Sequence, residues 1–274
     1  MAGTYRLIAL DMDGTLLTTG KRVSPATSAA LRRLTDSGAC ATIATGRAYR
    51  ELEPLRHDLA PVRYAVCANG AVVMDLWERR SVSVTTIPNH GAIKAVRAGL
   101  SNGCLVNVLT QTGAYLNLAD VERADELGLG QYKGLWAQVN EQMDDPIEFL
   151  RTHPNKAVKI NLYHFTQEAR ERTRAQLAGA DVQVAFAEGA SVEITAPGVR
   201  KDSGIAHLCD ELGITMSQVV AVGDGDNDLD MLRSAGLGVA MANATPQALA
   251  AADVCTTADC DHGGVAETIE RYFL

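Results

Sequence analysis

Leu7-Ile8-Ala9-Leu10-Asp11-Met12-Asp13-Gly14-Thr15-Leu16-Leu17 decides how the chain reads. The apolar run before Asp11 is short and bounded by a turn signal, which predicts a buried strand. Two carboxylates, Asp11 and Asp13, stand where that strand ends, and Gly14 permits a sharp turn. In an open α/β sheet, ligands bind outside the carboxyl ends of the strands, so the pair is aimed into a cleft. Like charges held together are costly unless a cation or a shared proton offsets their repulsion. This arrangement points to chemistry rather than to a structural role.

Outward from this stretch, strand and helix alternate. Ser24 reads as a helix N-cap with Pro25 at the first helical position, Ala30, Leu31 and Leu34 as the apolar stripe, and Gly38 as the stop. A second strand, Cys40-Ala41-Thr42-Ile43-Ala44, runs into Thr45-Gly46-Arg47, and a third, Tyr64-Ala65-Val66-Cys67, runs into Asn69-Gly70. Such alternation predicts a mostly parallel sheet with right-handed crossovers.

The pattern changes from about Val84. Ile93, Val96 and Leu100 mark a helix, and alternation over 105–109 and 114–118 predicts a hairpin. Helices are expected at 121–127, 146–152 and 167–178, and strands at 156–163 and 182–187. This stretch reads as an inserted α+β domain with hinges near 83–88 and 187–191. The doubly wound pattern then resumes, with a helix face on Ile205, Leu208, Cys209 and Leu212, and buried strands at 219–222 and 238–240. The expected organisation is an α/β core from 1–84 and 188–274, interrupted by the insertion 85–187.

The chain has 274 residues, 47% hydrophobic and 21% charged, with a net charge of −8. That length accommodates a core and a sizeable insertion. The acidic balance and the lack of a Lys/Arg cluster argue against a nucleic-acid partner. Apolar runs fall far short of a membrane span, and the first residues carry no secretory pattern, so a cytoplasmic protein away from membranes is expected. Six scattered cysteines without a Cys-x-x-Cys read as reduced, buried small side chains, and Cys255, Cys260 and His262 fit no standard zinc spacing.

Asp11-Met12-Asp13-Gly14-Thr15-Leu16 resembles the first motif of the haloacid dehalogenase superfamily of phosphohydrolases. The other motifs of that family follow in order. Thr45 matches the second, Lys201 the third, and Gly223-Asp224-Gly225-Asp226-Asn227-Asp228 the acidic fourth, after the apolar run 219–222. Ala240-Met241-Ala242-Asn243-Ala244 and Gly263-Gly264-Val265-Ala266 resemble the Cof-type branch. The resemblance implies a Rossmann-like core with a C2-type α+β cap. It implies Asp11 as the nucleophile that forms an aspartyl-phosphate, and Asp13 as the acid that protonates the leaving oxygen and later activates water. Thr45 and Lys201 complete the implied catalytic set, and Met12, Gly46, Asn69 and Asn227 are implied phosphate or substrate contacts. Mg²⁺ is the implied cofactor, held by Asp11, Asp13, Asp224 and Asp228, and hard carboxylate oxygens suit that ion. One residue departs from the pattern: Asp202 stands where relatives usually carry glycine after the lysine. Arg200 is the neighbouring alternative cation.

The implied reaction is hydrolysis of small phosphorylated metabolites, sugar phosphates above all, with the cap excluding water and reading the leaving group. Gln111, Tyr115 and Lys159 are cap residues that could contact it. Two alternatives stay open: a phosphomutase or phosphotransferase passing the same aspartyl-phosphate to a second hydroxyl, and a signalling module that accepts phosphate without turnover. The length of the insertion and Asp13 at the general-acid position favour turnover.

Overall fold

The computed structural model describes residues 5–186 and 189–274, which form two compact units. The first contains the chain up to Gly46, then Glu53–Ser83 and Arg200–Leu274; the second contains Arg47–Leu52 and Val84–Val199. No helix among the described residues is long and apolar enough to cross a membrane.

In the first unit β1 (Leu7–Leu10) is wholly buried and leads through a turn to α1 (Pro25–Asp36). Ser24 caps α1 by accepting from Thr27 N, and Ala30, Leu31 and Leu34 face inward. β2 (Cys40–Ala44) and β3 (Tyr64–Cys67) follow, each parallel to its neighbour. β4 (Val72–Asp75) then turns back antiparallel on β3, and β5 (Arg80–Val84) completes that edge. Neither of these two strands is marked by the pattern of the sequence. The tight turn between β4 and β5 is held by Asp75, whose side chain is fully buried. Its Oδ1 accepts from Trp77 N and Glu78 N, both at 3.1 Å, and its Oδ2 accepts two bonds from Arg63.

Burial opposes the Asp75 charge, but these N–H donors and Arg63 outweigh it and hold its proton affinity below the usual carboxylate range. Because the depressed value belongs to the folded state, the stabilisation is complete at neutral pH and disappears as acid protonates the carboxylate. Asp75→Ala is expected to cost about 2 kcal/mol at pH 7. The gap between wild type and variant should close as the pH falls below the ordinary carboxylate range, which urea unfolding at pH 7 and pH 3 would measure. An unchanged gap would mean that Asp75 acts through packing alone.

The second unit is built on an antiparallel-rich six-stranded sheet. α2 (Asn89–Ser101) precedes the hairpin of β6 (Leu105–Thr110) and β7 (Ala114–Leu116). Then come α3 (Lys133–Val139), β8 (Asn140–Gln142), α4 (Pro146–Thr152), β9 (Ala157–Tyr163), α5 (Gln167–Gln176), β10 (Gln183–Phe186) and β11 (Ser191–Thr195). One sheet face is an apolar core of Val106, Val108, Ile160, Leu162, Val192 and Ile194 under α2 and its neighbours. The helix expected at 121–127 is instead a 3₁₀ helix, Leu118–Leu127, opened by Asn117, whose side chain accepts from Ala119 N, and closed by the left-handed Gly128. Residues 187 and 188 of the expected hinge 187–191 lie outside the described residues, as does the last residue of the strand expected at 182–187. Ser191 opens β11 rather than belonging to a hinge, because Ser-Val-Glu-Ile-Thr alternates and pairs antiparallel with both β9 and β10.

The chain then returns to the first unit with α6 (Lys201–Leu212), β12 (Val219–Gly223), α7 (Leu229–Ser234), β13 (Leu237–Ala240), α8 (Pro246–Ala251), β14 (Val254–Cys255) and α9 (Gly264–Tyr272). The eight strands of this unit lie in the order β14-β13-β12-β1-β2-β3-β4-β5. β1 and β12 are central neighbours, so the two acidic loops leave the sheet side by side.

Candidate active site

Leu10 pairs with Val222, and the ladder continues one step as Asp11 N donates to Val222 O at 2.9 Å. Beyond that point the loops carry Asp11, Asp224 and Asp228 together. Each offers a carboxylate oxygen, and these oxygens all lie within 4.8 Å of one another. Lys201 enters this cluster from the first turn of α6. Its Nζ donates to Asp11 Oδ1 at 2.5 Å and to Asp228 Oδ1 at 2.7 Å, and its side chain is 1% exposed.

Asp228 Oδ2 accepts from Asp224 N at 3.0 Å and Gly225 N at 2.9 Å. One ammonium and two backbone N–H groups therefore occupy this carboxylate, which makes it an orienting residue for Lys201 and for the Asp224 loop. Asp224 is held from the other side by Thr15 Oγ1, which donates to its Oδ1 at 2.7 Å. Gly14 between the two loops has φ +88, and a Cβ there would lie 2.3 Å from Asp224 Oδ2. Only glycine fits that approach.

Lys201 is itself the first residue of α6, whereas the sequence suggested a helix start near Ser203. Ser203 Oγ donates to Arg200 O, and Asp202 Oδ1 accepts from Ser203 N and from Arg200 Nε. Asp202 thus folds onto its own turn and leaves the Lys201 contacts intact. Arg200 is about half exposed and also pairs with Asp230, so of the two cations it is Lys201 that lies in the cluster.

Thr45 is 3% exposed at the end of β2; its N donates to Val66 O and its carbonyl accepts from Asn69 N. Asn69 is left-handed (φ 57, ψ 29), and Gly70 has φ +104. A Cβ on Gly70 would lie 2.0 Å from Arg200 O, so the Asn-Gly turn docks on the backbone that launches Lys201. Gly46 follows Thr45 and is half-buried, and the Met12 side chain is fully buried. Asp13 is half-buried, and Lys21 Nζ donates to its Oδ1 at 2.7 Å. No spacing rule in the sequence pointed to Lys21. Asn227 lies exposed on the one-turn 3₁₀ helix Asp226–Asp228, its amide folded over Gly225. Of the residues left outside the motifs, Asp226 accepts from Thr245 Oγ1, and His262 is exposed beside Asp259.

The carboxylates dominate the electrostatics of the cluster. Burial, reinforced by Asp228, pushes the Asp11 carboxyl up to about 8 even though Lys201 draws it down. Asp224 is raised too, by burial first, with Thr15 opposing and Asp228 adding to the rise. Burial works against the Lys201 charge, but Asp11 and Asp228 outweigh it and hold the ammonium. Three carboxylates facing one ammonium carry an excess of negative charge, and all the donors are hard oxygens. That donor set fits a hard divalent cation and not a thiolate- or imidazole-seeking one.

Comparison with known proteins agrees with this geometry. The haloacid dehalogenase-like hydrolase family matches residues 8–269. HMP-PP phosphatase of Serratia proteamaculans is 30% identical over 246 residues, 89% of this chain and 86% of that protein. The 5-amino-6-(5-phospho-D-ribitylamino)uracil phosphatase YitU of Bacillus subtilis is 29% identical over 276 residues, 97% of each chain. A haloacid dehalogenase-like hydrolase from B. subtilis has the same fold, with TM-score 0.85 and 27% identity over 97% of this chain and 99% of that one. The family match over residues 8–269 and the shared fold define the class, a haloacid dehalogenase-like hydrolase. The chain belongs to the haloacid dehalogenase-like hydrolases, in their Cof-type branch, and is a phosphatase-type enzyme of a family that uses a divalent metal.

Proposed function

We propose that this chain is a Mg²⁺-dependent phosphomonoesterase for small phosphorylated metabolites, sugar phosphates above all, working through an aspartyl-phosphate on Asp11. The observation that carries this reading is the Lys201 ammonium bound at once to Asp11 and Asp228 at the base of the three-carboxylate cluster. Relatives named for two different phosphorylated compounds support the substrate class.

An Asp11 oxygen attacks phosphorus as the ester bond to the leaving oxygen breaks, and Asp13 gives its proton to that oxygen. Asp13 then takes a proton from water as the water oxygen attacks the same phosphorus, releasing inorganic phosphate and regenerating Asp11. Lys201 draws Asp11 toward its ionised form against the effect of burial, orients it, and places positive charge where the transferring oxygens gather. Thr45, Gly46, Met12, Asn69 and Asn227 are the proposed donors that seat the phosphate. Asp11, Asp13 and Asp224, backed by Asp228, would hold Mg²⁺, which when bound neutralises charge on the phosphoryl group. In this reading residues 1–84 and 188–274 catalyse, and 85–187 form a cap that selects the leaving group.

The test is phosphate release from a panel of phosphorylated metabolites, with Mg²⁺ and with chelator. Metal-dependent release, abolished by chelation and restored by Mg²⁺, is the expected result. Release that survives chelation would remove the metal from the mechanism, and isomerised product without phosphate would transfer the assignment to a mutase.

A further inference from the structure

Asn243, on the loop that follows β13, makes two hydrogen bonds across the first unit. Its Nδ2 donates to Gly14 O at 2.8 Å, and its Oδ1 accepts from Cys260 N at 3.0 Å. The second bond fixes the first. If the amide flipped, its oxygen would face the Gly14 carbonyl and its NH₂ would face the Cys260 N–H, losing both bonds. The NH₂ end is therefore committed to Gly14.

Gly14 is the residue whose peptide planes set the acidic loop. It lies between Asp13 and Thr15, has φ +88, and packs directly on Asp224. Holding its carbonyl fixes the peptide that leads into Thr15, whose hydroxyl in turn holds Asp224. The loop bearing Asn243 is tied to the Asp224 loop as well: Met241 N donates to Gly223 O, Thr245 N to Asp224 O, and Thr245 Oγ1 to Asp226 Oδ1. Cys260 supplies the far anchor, and its neighbour Asp261 accepts from both Thr19 N and Thr19 Oγ1. The loop from Gly14 to Thr19 is thus gripped at both ends by segments from the C-terminal part of the chain.

We infer that Asn243 is a positioning residue for the reaction: by holding the Gly14 carbonyl it keeps Asp13 and the Thr15–Asp224 pair in register with Asp11. Asn243 acts through the backbone and touches neither substrate nor metal. The inference rests on the phosphatase reading for its kinetic arm only, because the binding of a divalent ion to the acidic cluster reads the same geometry without turnover.

The experiment compares wild type with Asn243→Ala and Asn243→Asp in three measurements. These are Mg²⁺ affinity by calorimetric titration of the substrate-free protein, kcat and KM on the best substrate of the panel, and the thermal midpoint. Asn243→Asp keeps the oxygen that accepts from Cys260 and replaces the donor to Gly14 by a charged acceptor, and Asn243→Ala removes the donor without adding charge, so the two together test the bond in question. The expected result for both variants is a kcat lowered about 10- to 100-fold, with KM changed by less than about threefold. Mg²⁺ binding should be weakened by about tenfold or less. Wild-type kcat and Mg²⁺ affinity in Asn243→Asp would overturn the inference, as would a drop in thermal midpoint with both left intact. Should wild type release no phosphate from any substrate, the phosphatase reading fails, and the Mg²⁺ titration alone decides the role of Asn243. Should Asn243→Ala fail to fold, the nearly isosteric Asn243→Asp carries the test.

Discussion

Asp11→Asn is expected to lower kcat/KM by at least about 10³-fold and to leave the protein as thermally stable as wild type, or more so. The two halves of this result have one origin. The Asp11 carboxylate is buried beside Asp228, and burial and that neighbour push its proton affinity up to about 8. A raised value in an acid means that its ionised form costs folding stability, a cost that an uncharged amide does not carry. An amide oxygen at the same place still accepts from Lys201, keeps the shape, and sheds the charge. It is a far poorer nucleophile. Steady-state kinetics and thermal unfolding on the same preparation measure both halves. Turnover within tenfold of wild type would remove Asp11 as nucleophile, and a collapse in the unfolding midpoint would recast it as a structural residue.

Lys201→Met is expected to lower kcat by about 10²- to 10³-fold. Unlike Asp11→Asn, it should also destabilise the metal-free protein, by about 3 kcal/mol, because it strips the counter-charge from buried acids. The ammonium is bonded to Asp11 and Asp228 and is 1% exposed, so water cannot replace it. Adding Mg²⁺ should recover part of the lost stability by restoring positive charge to the cluster, while activity stays low because the group orienting Asp11 is gone. Denaturant unfolding with and without Mg²⁺, beside phosphate-release kinetics, tests this. Arg200→Ala is the informative comparison: Arg200 pairs outward with Asp202 and Asp230, and a larger kinetic loss there than in Lys201→Met would mean that the wrong cation has been placed on the substrate.

The sheet order around β1 was legible because a buried parallel strand announces itself as a short apolar run ending in a polar turn. Leu7–Leu10, Cys40–Ala44, Tyr64–Cys67 and Val219–Gly223 all have this form. α1 was legible from Ser24-Pro25, a cap and a proline whose local chemistry needs no tertiary partner. β4 is not marked in the sequence although Val72, Val73 and Met74 are apolar, because an Asn69-Gly70 turn serves equally to line a pocket or to reverse the chain, and three apolar residues in a row show no alternation that decides. β11 was hidden by its position, crowded against the expected hinge. Within the site, residues recognised by local motif were legible, Asn243 among them as part of the Cof-type stretch, whereas their partners were not. Lys21 declares itself only through its bond to Asp13, and the bond from Asn243 to Gly14, 229 residues away, follows from no periodicity.

The pairing of β1 with β12 has a consequence for how the protein comes into being. β1 is made first and β12 only after more than two hundred residues, most of them belonging to the second unit. Until β12 emerges from the ribosome, the central strand of the sheet has one edge without its neighbour, and an unpaired apolar edge invites association with other chains. The contacts that finish the sheet are of high sequence separation and form slowly. The second unit, Arg47–Leu52 with Val84–Val199, is made in full before β12 and contains its own apolar core. Synthesis therefore passes through a stage in which every residue of the second unit has been made while the first unit still lacks β12, and the acidic cluster is among the last features to exist.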